Sequence, residues 1–119
     1  MTKPRQTEWT FQKAAAEYLA IALPSDAFWT AIDHAAKMSP VAGRMRKLRG
    51  VKAGIADIMI VWRGITLWIE LKTGSALSAS QKDFRDDVIR NGHAWALARS
   101  LDDIEFACAL NRIPMKATL

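Results

Sequence analysis

The sequence predicts a single α/β domain in which helices flank a β-sheet. Helical and strand-like segments alternate along the chain, and two strand-like segments are joined by Arg63-Gly64, a two-residue connection typical of a β-hairpin. The 119 residues suffice for one hydrophobic core but not for two ordinary domains. We therefore predict one domain over residues 1–119, with a core at about 8–110 and a loose tail at 111–119.

Four segments are predicted to be helices because apolar residues recur at helical spacing behind a capping residue. The predicted N-caps are Thr7, Ser39, Ser78 and Ser100. The helices are expected at about residues 8–23, 40–49, 79–91 and 101–110. In the second of them, we expect Met45 and Leu48 to face inward while the basic residues point outward.

Four further segments are predicted to be strands because they are short, apolar and rich in β-branched or aromatic residues. These segments are residues 27–34, 57–62, 65–72 and 94–98. The predicted order is therefore helix, strand, basic helix, strand, strand, helix, strand, helix.

The hairpin around Arg63-Gly64 fixes which residues of its two strands lie opposite each other. A two-residue turn pairs Trp62 with Ile65, and the same register places Asp57 opposite Glu70, with Cβ atoms roughly 5 Å apart. Like charges this close destabilise a sheet unless a positive group bridges them.

A divalent cation is the natural bridge between these two acids. Two carboxylates, the Leu71 carbonyl and water suit Mg²⁺, and Lys72 lies two residues beyond Glu70 on the same face. Such a metal would lower the pKa of a bound water and neutralise charge on a phosphodiester, so phosphodiester hydrolysis fits these groups best. The alternative is a solvated ion pair without chemistry, which is common on strand surfaces.

A cluster of five basic residues precedes the hairpin and contains no acid. It is expected to deliver positive charge to the acidic pair and to contact the phosphates of a nucleic acid, although a solvated helix face would look the same. Its members are Arg44, Arg46, Lys47, Arg49 and Lys52.

The composition fits an intracellular protein with a polyanionic partner. The net charge is +5, half of the residues are hydrophobic, and Cys108 is the single cysteine, which excludes an internal disulfide or a cysteine-rich zinc site. No secretory signal or membrane-spanning segment is recognised, so we expect a soluble, cytoplasmic protein.

The ordered set of motifs resembles the virus-type replication-repair nuclease (VRR-NUC) domain of the PD-(D/E)XK superfamily. The similarity covers about residues 8–104 and departs from the superfamily pattern at Ala56, where proline is usual. The motifs that carry it are Gly54-Ile55-Ala56-Asp57, Trp68-Ile69-Glu70-Leu71-Lys72, Leu77-Ser78-Ala79-Ser80-Gln81 and Ala98-Arg99-Ser100-Leu101. The resemblance implies a restriction-endonuclease-like core (αβββαβ) with a mixed central sheet.

The resemblance also implies roles for individual residues. Asp57, Glu70 and the Leu71 carbonyl would bind the catalytic metal, Lys72 would assist the attacking water, and Gln81 would line the site. A further glutamate near the start of the first helix would complete the metal site. Glu8 is the first choice for it, and Glu17 is the rival.

The function expected from the resemblance is a Mg²⁺- or Mn²⁺-dependent, structure-selective DNA endonuclease. Stand-alone members look like structure-selective nucleases, some of which resemble Holliday-junction resolvases, and are often encoded by bacteriophages. A two-fold homodimer would supply the two symmetric cuts that a four-way junction needs. A sequence-specific or nicking nuclease, a non-catalytic basic DNA-binding module and a partner-binding structural protein remain as alternatives.

Overall fold

Eight elements make up the structure, a computed structural model that describes residues 7–34 and 39–116. They follow the predicted order. In sequence order they are α1 (Glu8–Ala22), β1 (Phe28–Ala31), α2 (Pro40–Leu48), β2 (Ile58–Trp62), β3 (Ile65–Leu71), α3 (Ala79–Arg90), β4 (Ala94–Ala98) and α4 (Leu101–Leu110).

The four strands form one mixed sheet in the order β1-β2-β3-β4. The pairs β1–β2 and β2–β3 are antiparallel, whereas β3 and β4 are parallel and are connected through α3. The prediction of a mixed sheet flanked by helices is thus confirmed.

The turn between β2 and β3 explains the register of the hairpin. Arg63 and Gly64 both have positive φ, 43° and 82°, as a type I′ turn requires. A positive φ is unfavourable for arginine, which has a Cβ atom. The Arg63 guanidinium donates a hydrogen bond to the Asp26 carboxylate at 3.1 Å. Ile58 lies opposite Ile69, so the predicted register is confirmed.

Each predicted N-cap is confirmed, which explains where the helices begin. The hydroxyl groups of Thr7, Ser39, Ser78 and Ser100 each accept a hydrogen bond from the backbone N–H three residues further on. In α3 the cap is reciprocal, because the Gln81 side chain accepts from the Ser78 backbone N–H at 2.8 Å.

The hydrophobic core lies between one face of the sheet and the pair α1 and α4. Alternate residues of the two central strands point into it, together with the inner faces of both helices. Its largest fully buried members are Phe11, Leu19, Ile58, Ile60, Leu67, Ile69, Ile104 and Ile113. On the opposite face, Trp68 meets Phe84 of α3 edge-to-face with ring centroids 5.1 Å apart, so helices cover both faces.

The basic helix α2 differs from expectation. Met45 and Leu48 are 55% and 82% exposed, so the prediction that they face inward is wrong. None of residues 40–48 is buried, and the helix makes little contact with the other elements. An amphipathic pattern specifies an apolar stripe but not the direction in which the stripe points.

Two smaller differences concern the ends of elements. Strand β1 ends at Ala31 instead of residue 34, although the Ile32 N–H still donates to the Asp57 carbonyl at 2.8 Å. Residues 111–116 are not a loose tail, because Ile113 is buried and the Lys116 N–H donates to the Ala22 carbonyl. Residues 117–119 lie outside the described residues. Within the described part of the chain, no helix has the length and apolar character needed to cross a membrane.

Candidate active site

The hairpin brings Asp57 and Glu70 together at the end of the sheet, as its register predicts. Asp57 directly precedes β2, and its N–H donates to the Ile69 carbonyl at 3.1 Å, although the strand register pairs Ile69 with Ile58. The Leu71 N–H donates to Asp57 Oδ2 at 2.8 Å. The Asp57 carboxylate is therefore held by the backbone of the neighbouring strand beside Glu70.

Glu70 is a buried acid, with only 2% of its surface exposed. Burial, followed by a hydrogen bond with Asp57 and the negative charge of Asp57, raises the pKa of Glu70 to about 9. The positive charge of Lys72, itself buried, opposes that increase, whereas Glu8 adds to it.

One oxygen of Glu70 lacks a partner. Among the described residues, nothing hydrogen-bonds to the buried Oε1 atom. An unpartnered buried oxygen costs folding free energy, and a second carboxylate beside it adds repulsion when both are ionised. A cation at this position would satisfy the oxygen and relieve the repulsion, so the donor set fits a divalent metal ion.

All the predicted catalytic and metal-binding residues line one polar cavity of about 260 Å³. These residues are Glu8, Asp57, Glu70, Leu71, Lys72 and Gln81. Glu17, the rival of Glu8, lies elsewhere on α1, where it is exposed and pairs with Lys13 at 3.7 Å. The structure therefore places Glu8, and not Glu17, beside the acidic pair.

The acids form a pair rather than a complete metal cage. Among the described residues, no three His, Cys, Asp or Glu side chains come together as a metal site. Mg²⁺ commonly keeps several water ligands and uses one or two carboxylates. Asp57, Glu70 and the Leu71 carbonyl, completed by water, would be sufficient for such an ion.

A second cleft of about 380 Å³ adjoins the carboxylate cavity and is basic. Three of the five predicted DNA-binding residues line it, namely Arg46, Lys47 and Lys52. Arg44 and Arg49 belong to the same cluster but do not line the cleft. The side of α2 that faces the cleft is therefore its polar side, and its apolar stripe faces outward.

Gly54 fastens the loop before β2 to the start of α3. Its φ is +83°, and a Cβ atom built there would lie 2.2 Å from the backbone oxygen of Ser80. Only glycine allows this close approach. The contact holds the loop that carries Asp57 against the helix that carries Gln81, and so sets the width of the cavity.

The sequence allows His34, the last residue of the strand predicted over residues 27–34, to reach the site, but it favours a structural or surface role for a lone histidine. This side chain lines both the carboxylate cavity and the basic cleft, and its Nε2 lies 3.5 Å from Asp57 Oδ1. It lies three residues beyond the observed end of β1 at Ala31. Ser78 and Ser80 also line the carboxylate cavity. The sequence marks Ser78 as an N-cap and both serines as members of the family motif that ends at Gln81, without a role in the site.

A solved structure described as a VRR_NUC domain protein has the same fold. It superimposes with a TM-score of 0.64 and 21% sequence identity, over 92% of this chain and 90% of that chain. No protein-family model and no curated protein matches the sequence. The chain therefore has the fold of a VRR_NUC domain protein, which is the fold that the motif resemblance implies.

Proposed function

We propose that this protein is a metal-dependent, structure-selective DNA endonuclease that hydrolyses phosphodiester bonds. The observation that carries the proposal is the Asp57–Glu70 pair, in which Glu70 is buried with one unpartnered oxygen. The pair lies beside a buried lysine and opens towards a basic cleft. The fold shared with a VRR_NUC domain protein supports the same reaction class.

The residues divide into those that hold the ion and those that act on the substrate. Asp57, Glu70 and the Leu71 carbonyl would hold Mg²⁺ or Mn²⁺, with Glu8 at the rim. The bound ion would activate a water molecule and neutralise charge on the phosphate. Lys72 orients the attacking water and stabilises the negative charge that develops on the phosphate oxygens.

The basic cleft supplies the affinity for the substrate. Arg46, Lys47 and Lys52 bind backbone phosphates there, and Arg44 and Arg49 add long-range attraction from outside the cleft. Phosphate contacts position a nucleic acid without reading its bases. Binding through backbone phosphates suits a nuclease that selects DNA by its shape, and a sequence-specific or nicking enzyme stays the alternative.

The proposed active form is a homodimer, because symmetric cutting of a four-way junction needs two sites related by a two-fold axis. The support is the outward stripe of α2, formed by Val41, Met45 and Leu48, which is 55–82% exposed. The expected result for Leu48→Glu is a loss of dimer mass in light scattering with unchanged helical content. An unchanged mass would contradict the use of this stripe.

The competing function is a DNA-binding module in which Asp57, Glu70 and Lys72 form an inert polar cluster. Burial disfavours it, since an acid kept at 2% exposure with an unpartnered oxygen lowers the stability of the fold and gains nothing in a binding module.

The test is cleavage of end-labelled linear, flap and four-way-junction DNA in Mg²⁺ or Mn²⁺. Glu70→Ala should abolish cutting while DNA binding persists. Glu17→Ala is the matched control, because it removes an exposed glutamate that is already paired with Lys13. Binding without cutting on every substrate would favour the DNA-binding module.

A further inference from the structure

His34 occupies the boundary between the two cavities of the site. Among the described residues that line them, His34 and Gly54 are common to both cavities, and Gly54 has no side chain. A sugar–phosphate backbone that runs from the basic cleft to the carboxylates must therefore pass the His34 imidazole.

The surrounding structure holds His34 at this boundary. The Ile32 N–H donates to the Asp57 carbonyl at 2.8 Å, which ties the chain after β1 to the start of β2. The His34 Nε2 then lies 3.5 Å from Asp57 Oδ1, beyond the range of a strong hydrogen bond. Its side chain is 44% exposed, so a ligand can reach it.

We infer that His34 donates a hydrogen bond to the backbone phosphate next to the scissile one, on the side of the basic cleft. Asp57 and Glu70 are acceptors, and the basic residues of α2 lie further along the cleft. His34 is thus a hydrogen-bond donor close to Asp57. It lies where the DNA backbone would pass from the basic cleft to the carboxylates. This inference rests on the proposed function, because it deepens the description of the same site.

The alternative is that His34 acts through Asp57 by orienting that carboxylate. A positioning role would change the concentration of Mg²⁺ needed for cleavage and leave DNA binding in EDTA intact. A phosphate contact would leave the Mg²⁺ requirement unchanged and would contribute to DNA binding in EDTA. Its loss would raise KM more than it lowers kcat.

The test measures binding of a synthetic four-way-junction DNA in EDTA, with one phosphate at a time replaced by an uncharged methylphosphonate. His34→Ala should weaken binding of the unmodified DNA by about tenfold, as expected for a hydrogen bond to a charged group. At one methylphosphonate position, wild type and variant should bind equally, because the contact is already absent. At the other positions the tenfold difference should remain.

Three variants make the result interpretable. His34→Gln retains a donor and should recover part of the affinity, whereas His34→Phe fills the space without one and should behave as alanine does. His93→Ala is the matched control, since His93 lines a cavity with Gly64 and Gly92 near the hairpin turn. It should bind as wild type does.

Two results would overturn the inference. One is a loss of affinity by the same factor at every methylphosphonate position, which indicates a structural effect. The other is unchanged binding in EDTA with an altered Mg²⁺ requirement, which indicates action through Asp57. If wild type binds but never cuts, the proposed nuclease fails, and the EDTA scan still decides whether His34 contacts a phosphate.

Discussion

Replacing Glu70 with glutamine should stabilise the metal-free protein at alkaline pH while removing the site's ability to bind a divalent cation. Glutamine keeps the shape of the side chain and a donor for Asp57, but it carries no charge. The variant therefore avoids the cost of ionising a buried acid beside a second carboxylate.

The magnitude follows from the pKa of Glu70, which is raised from 4.5 to about 9. Within this range the folded chain holds a proton that the unfolded chain has released, so the free energy of unfolding falls as the pH rises. The slope is at most about 1.4 kcal/mol per pH unit. Between about pH 6 and about pH 8, wild type should lose up to about 3 kcal/mol relative to Glu70→Gln.

Urea unfolding followed by tryptophan fluorescence at the two pH values, in EDTA, measures this difference. Added Mg²⁺ should stabilise wild type and leave Glu70→Gln unchanged, because a ligand stabilises the state that binds it. The control is Glu17→Gln, whose exposed side chain should change stability by less than about 0.5 kcal/mol. The same pH dependence of the free energy of unfolding in wild type and Glu70→Gln would refute a raised pKa of Glu70.

Three further changes test other parts of the structure. Gly54→Ala should lower the free energy of unfolding by about 2 kcal/mol or more, because of the positive φ and the clash with α3. Gly43→Ala is the control and should not destabilise α2, because there is open space around Gly43. Urea unfolding measures both variants. The hydrogen bonds of Asp26 to the hairpin turn hold its pKa below 3.8, so they stabilise the fold above that pH. An Asp26→Asn variant should therefore lose less stability than wild type on acidification below about pH 4 in an acid titration. Arg46→Gln, inside the cleft, should reduce the salt dependence of DNA binding by about one phosphate contact, and Arg44→Gln, outside it, should have a smaller effect in the same salt titration.

The sequence predicted the hairpin and its acidic pair because local chemistry determines both. The Arg63-Gly64 turn fixes the register of β2 and β3, and that register brings Asp57 and Glu70 to the same end of the hairpin. The helix starts were equally predictable, since each depends on a hydroxyl group and a backbone N–H three residues away.

The features that the sequence did not predict depend on contacts between distant segments. The direction in which the apolar stripe of α2 points depends on how the helix is placed relative to the sheet. A helical pattern in the sequence does not contain that information. Ile113 and Met115 pack against the core as single residues without periodicity, so the expected tail was wrong. For His34 the sequence left a place near the site open but favoured a structural role. The backbone hydrogen bond from the Ile32 N–H to the Asp57 carbonyl, between residues far apart in the sequence, ties the chain just before His34 to the site.

We propose that the Asp57–Glu70 pair binds a divalent cation. Mn²⁺ binding measured by electron paramagnetic resonance tests this proposal without a nuclease assay. Free Mn²⁺ gives the signal, so its decrease on adding protein reports binding without requiring a DNA substrate. We expect wild type and Glu17→Gln to bind Mn²⁺ that Mg²⁺ displaces, and we expect Glu70→Gln to have lost this binding. Equal binding by all three proteins, or no binding by wild type, would contradict the proposal.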